Sequence, residues 1–83
     1  MVYGIKELRT FNEQEEKAFY NLFVSKEYKT NRLYESIGSK LYRHEYCLVG
    51  NELVDEVVKW LNNCGLKVKV HRPGSYQTKI ELV

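Results

Sequence analysis

The sequence predicts an α+β fold, a βαβαββ two-layer sandwich whose mixed sheet carries helices on one face and ends in a C-terminal β-hairpin. Three observations predict it. Apolar residues recur at three- and four-residue spacing in two separate stretches, which is the mark of amphipathic helices. From Leu66 onward they alternate in steps of two, and the sole proline, in Arg72-Pro73-Gly74-Ser75, divides that alternating stretch into two strands. At 83 residues the chain has room for one modest core, a single domain over residues 1–83.

Each element follows from local signals. Val2, Tyr3, Ile5 and Leu8 suggest a first strand over residues 2–9. Asn12 followed by Glu15 has capping-box spacing, and Ala18, Phe19, Leu22 and Phe23 then line one face of a helix from about Glu13 to Val24. A shorter helical piece from Thr30 or Asn31 carries Leu33, Tyr34 and Ile37 inward and stops at Gly38. Leu41 to Val49 reads as a strand with two mixed faces: Tyr42, His44, Tyr46 and Leu48 share one parity, with Cys47 on the other, inward one. Gly50 breaks that strand and Asn51 caps the strongest helix, whose stripe is Leu53, Val54, Val57, Val58 and Leu61 and whose stop is Gly65. Trp60 lies at the edge of this stripe, its N–H placed to reach solvent or a partner.

In the hairpin, Leu66, Val68 and Val70 should share a face with Thr78, Ile80 and Leu82. A two-residue Pro73-Gly74 loop would pair Val70 with Gln77 and put these two sets on opposite faces. The loop must therefore be longer, or bulged.

Composition excludes several function classes. Apolar residues at 43% and charged residues at 29% describe an ordinary globular chain. No run approaches the ~18 apolar residues of a membrane helix, and Met1 to Lys6 lacks a secretory pattern, so the expected setting is the cytoplasm. Cys47 and Cys64 are far apart and read as reduced core thiols. Asp55 is the sole aspartate, His44 and His71 are the only histidines, and no GxSxG signature accompanies them, so no catalytic residue and no enzyme is expected. Gly38-Ser39-Lys40 lacks the upstream glycine of a phosphate-binding loop. His44 and Cys47, three apart on a strand, would face opposite ways, so neither a metal nor any other cofactor is expected.

The positive signal is basic. Residues 67–83 hold four Lys and Arg side chains against Glu81 alone. With the apolar set inward, Lys67, Lys69, His71, Gln77 and Lys79 line the outer face, Arg72 sits at the tip, and Tyr76 can stack on a base or pack into a protein groove. The competing explanation is that lysines on exposed strands guard against edge-to-edge pairing. Tyr42, His44 and Tyr46, with Trp60 nearby, form a second, aromatic candidate surface, although tyrosines covering helices would look the same.

The element order over the whole chain, without a shared motif, is similar to that of the archaeal chromatin protein Alba and of the C-terminal domain of bacterial translation initiation factor three. That similarity implies nucleic-acid binding through an exposed hairpin. A winged helix competes, but a recognition helix presents basic donors at its start, and this one presents Glu52, Asp55 and Glu56. The sequence thus points to a small non-enzymatic binding module for DNA or RNA. The alternative is a protein–protein adaptor or inhibitor in the manner of small phage-encoded or accessory proteins acting on a host factor. Homodimerisation stays open, and no membrane partner is expected.

Overall fold

A computed structural model describes residues 11–83. The strand expected over residues 2–9 lies outside the described residues. The rest is an α+β domain of four helices and a three-stranded antiparallel sheet. Helices α1 (Glu13–Phe23), α2 (Lys26–Thr30) and α3 (Arg32–Tyr42) come first. Strand β1 (Cys47–Gly50), a 3-10 turn (Asn51–Leu53), helix α4 (Val54–Cys64) and strands β2 (Val68–Val70) and β3 (Gln77–Leu82) follow. None of the described helices is long and apolar enough to cross a membrane.

Helix α1 starts as its sequence dictates. The Asn12 side chain accepts from the Glu15 N–H at 2.8 Å while Glu15 accepts from the Asn12 N–H at 3.0 Å, a complete capping box. Ala18, Phe19 and Leu22 are buried along one face, with Phe23 packed beside them. At the junction to α2, the Ser25 hydroxyl caps α2 by accepting from the Tyr28 N–H, donates to the Leu22 carbonyl at 2.7 Å, and accepts from the Trp60 indole N–H at 3.2 Å. One small side chain therefore ties α1, α2 and α4 together.

Helix α3 does not stop at Gly38. Gly38 is buried in mid-helix, where a Cβ would stand 2.6 Å from Leu22 Cδ2 and 3.1 Å from the Tyr28 ring, so it is glycine because three helices meet there. The stop is His44, in the left-handed region at φ 62°. Its N–H donates to the Leu41 carbonyl at 3.0 Å and the Glu45 N–H to the Lys40 carbonyl at 2.9 Å, which is the Schellman pattern with histidine in glycine's usual place. Gly65, at φ 110°, closes α4 with the same pair of bonds, from Gly65 to Asn62 and from Leu66 to Leu61. The strand expected from Leu41 is thereby shortened to Cys47–Gly50, because Leu41 and Tyr42 belong to α3 and residues 43–46 to the turn.

The buried face of α4 is Val57, Trp60, Leu61 and Cys64, flanked by half-buried Leu53, Val54 and Val58. It is rotated toward Trp60 relative to the predicted stripe. Asn51 makes no helix-capping side-chain bond and serves the hairpin instead. Strand order is β1-β3-β2 and every described pairing is antiparallel, where a mixed sheet is the sequence expectation. Cys47, Val49, Thr78 and Ile80 are buried, and the three apolar ones join the core built by Phe19, Leu22, Ile37, Leu41 and Leu61.

Alanine for glycine in a helix normally gains up to about 1 kcal/mol. At Gly38 the close approach reverses the sign, and G38A is expected to lose about 1–3 kcal/mol through overpacking against Leu22 and Tyr28. Urea unfolding measures it. A gain in stability would show that α3 does not meet α1 and α2 through this residue.

Candidate functional site

The geometry of the hairpin follows from its register. Val68 pairs with Leu82, Lys69 with Glu81 and Val70 with Ile80, which leaves a six-residue loop, His71 to Tyr76. This longer loop puts the two apolar sets on one face, as their alternation requires. The loop is also pinned. Asn51 donates through its side-chain amide to the Gly74 carbonyl at 3.0 Å and accepts from the buried Thr78 hydroxyl at 2.7 Å, while its backbone N–H donates to the Tyr76 carbonyl at 2.9 Å. The 3-10 turn thus holds the hairpin tip in place.

On the outward face, Lys67 just before β2 and Lys69 within it are exposed, and Lys79 is half-buried. Lys79 Nζ lies 4.5 Å above the centre of the Tyr46 ring, an arrangement that cation–π attraction favours. Tyr46 is 51% exposed and Leu48, opposite Lys79, is 47% exposed. Arg72 and Gln77 are exposed at the two ends of the loop, and Tyr76 is 83% exposed. The structure therefore brings Lys67, Lys69, His71 and Lys79 onto one side of the sheet, with Arg72 and Tyr76 on the adjoining loop.

Glu81 is the member that alternation alone did not assign a role. It stands opposite Lys69 and its carboxylate meets His71 Nε2. The hydrogen bond with His71, and the charges of Lys79 and Lys69 after it, hold this carboxyl below its ordinary range. One acid thus neutralises part of the cationic face and fixes His71, leaving Lys67, Lys69 and Arg72 as the freer charges. Its signal was its parity with Lys67 and Lys69 across the loop.

The second, aromatic surface is not assembled. Tyr42 ends α3 and packs among Phe11, Phe19 and Phe23, with ring centres 5.1–5.5 Å away. His44 stacks on Phe11 at 4.4 Å from its position in the turn. Trp60 is 6% exposed, bonded to Ser25 and set edge-on to Tyr34 at 4.7 Å, so it belongs to the core and not to one surface with Tyr46. Tyr46 alone of the four faces outward with the lysines. Parity does not carry across this stretch, because Tyr42 belongs to α3 and residues 43–46 turn, and neither a helix nor a turn alternates in steps of two.

Cys47 and Cys64 are free and buried. Burial raises both thiols, that of Cys47 to about 11, which leaves little thiolate for nucleophilic attack or metal ligation at neutral pH. Among the described residues no group of three or more His, Cys, Asp or Glu side chains comes together as a metal site. No family model, no curated protein and no solved structure matches the chain.

Because the folded Glu81 carboxyl sits below its unfolded value, its favourable contribution is present above the unfolded pKa and disappears as pH falls through the folded one. A carboxyl-detected NMR titration should place its midpoint below the ordinary 4.5, and H71A should move it upward. A midpoint at or above 4.5 would mean that the His71 contact does not persist in solution.

Proposed function

We propose that this chain is a small non-enzymatic binding module that holds single-stranded nucleic acid on the outward face of its C-terminal hairpin. Underlying this is a two-layer arrangement in which the helices lie on the far side of the sheet. The observation that carries the reading is the convergence of Lys67, Lys69, Lys79 and Arg72 with two exposed rings, Tyr46 and Tyr76. Cations along a two-stranded ribbon track phosphates, and rings beside them accept bases whose faces are unpaired. A duplex offers such rings less. Helix α4, which would have to enter a major groove, opens with Asp55 and Glu56 just after Glu52, and these repel phosphate.

Contacts of this kind position a strand without reading its sequence. Binding should therefore be similar for unrelated single strands and steep in salt. The second reading, an adaptor for another protein, draws on the exposed apolar patch of Leu48 beside Tyr46.

Fluorescence anisotropy with a labelled oligothymidine at ~50 mM salt, where electrostatic binding is favoured, tests the proposal directly. Saturable binding is expected, and K67Q and K69Q should each lower the slope of log K against log salt by ~0.7. Y76A should cost about 1–3 kcal/mol on the single strand and less on duplex DNA. Absence of binding to both DNA and RNA strands under these conditions would discard the nucleic-acid reading and leave the adaptor.

A further inference from the structure

The edge of β2, unpaired among the described residues, is a separate feature from the cationic face. In an antiparallel ladder alternate residues turn their backbone groups toward the partner strand. His71 donates to the Lys79 carbonyl at 2.9 Å and Val83 to the Lys67 carbonyl at 3.2 Å, so residues 67, 69 and 71 face β3. The backbone N–H and C=O groups of Val68 and Val70 consequently point away from it. No described strand pairs with them, since β2 ends the order β1-β3-β2.

Beside that edge runs a groove of about 500 Å³ between β2 and α4. Its apolar lining is Val54 and Val58 from α4 and Val70 from β2, the last 43% exposed. Asn62 and Asn63 offer amides along its helical rim, where Asp55 and Lys59 supply one charge of each sign. A strand laid along β2 would alternate between this groove and the outward face. Its groove-side residues would meet Val58 and Val70, and its other residues would meet Lys67 and Lys69.

Charge decides the occupant. A second copy pairing through β2 would bring Lys67 and Lys69 against their own counterparts, and like charges facing across strands are unfavourable. Acidic residues at the same positions would be attracted. We propose that the β2 edge, together with the groove against α4, takes an extended peptide from another protein, alternating apolar and acidic residues, as an added antiparallel or parallel strand. The groove half of the site is separate from nucleic-acid binding, because Val70 and Val58 lie on the opposite side of the strand from the lysine side chains, whereas Lys67 and Lys69 serve both and would be contested by peptide and strand.

The test uses the full chain and two labelled peptides of equal length, one alternating Glu with Val and one alternating Lys with Val. Saturable anisotropy is expected for the Glu peptide, with the Lys peptide weaker by about tenfold or more through like-charge repulsion. V70P removes an outward N–H without touching the β3 ladder, as proline on an edge strand can, and should weaken the Glu peptide by about tenfold, the loss of one backbone hydrogen bond. Oligothymidine binding by V70P should be unchanged. If V70P proves unfolded by its amide spectrum, V58E supplies the same test from the helix side. Isotope-filtered NOEs should run from the unlabelled Glu peptide to the Val58 and Val70 methyl groups. Failure of the Glu peptide to saturate at millimolar concentration overturns the proposal, as do equal affinities for both peptides. NOEs at Val70 from residues 2–9 or from a second copy in its place would overturn it too.

Discussion

The pairing of Val70 with Ile80 fixes the sides of everything that follows Gly65. Side chains alternate across a strand, so with β3 held against β1 a slip of one residue in β2 would turn Lys67 and Lys69 toward the core and lift Leu66 and Val68 into water. Burying unpaired ammonium groups beneath α4 is a cost no hairpin loop can offset. The register is therefore set from inside, by the apolar face. The outward cationic face is its consequence, and the loop length of six residues is the second consequence. Asn51 makes the loop a fixed object by bonding to Gly74, Tyr76 and Thr78 from the neighbouring turn.

The helical half positions the sheet that carries this face. Leu22, Tyr28 and Gly38 let α3 approach α1 and α2 closely, and Ser25 binds the same junction to Trp60 of α4. Where α3 ends then determines where β1 begins. Because His44 takes the left-handed position, Tyr42 remains with the aromatic cluster on Phe11, Phe19 and Phe23, while Tyr46 emerges beside Lys79. A helix stop at one histidine thus decides which tyrosine lies beside Lys79, since both rings are about half exposed.

What could be seen in the sequence was whatever depends on neighbours a few residues away. The Asn12 and Glu15 capping box, the left-handed Gly65 and the parity of the hairpin are local, and each stands as its spacing implies. Gly38 misled because a glycine that ends a helix and one that admits a crossing helix look alike until Leu22 is placed beside it. His44 was invisible as a stop, since histidine adopts positive φ far less readily than glycine. Asn51 carried a cap-like position, yet its side-chain partners lie on the hairpin, more than twenty residues further along. Within the candidate site, alternation found the lysines and put Glu81 on their face, but not its bond to His71.

A cationic ribbon with exposed rings and one embedded acid suits loose contact along a strand better than tight recognition of a fixed shape. That the hairpin face itself makes this contact is most directly tested by backbone amide shifts of the full chain during titration with oligothymidine at low salt. The largest shifts should cluster at Tyr46, Lys67, Lys69, Tyr76 and Lys79, with α1 and α2 unmoved. Shifts centred on the helices, or a spectrum that does not change at all, would contradict the assignment of this face.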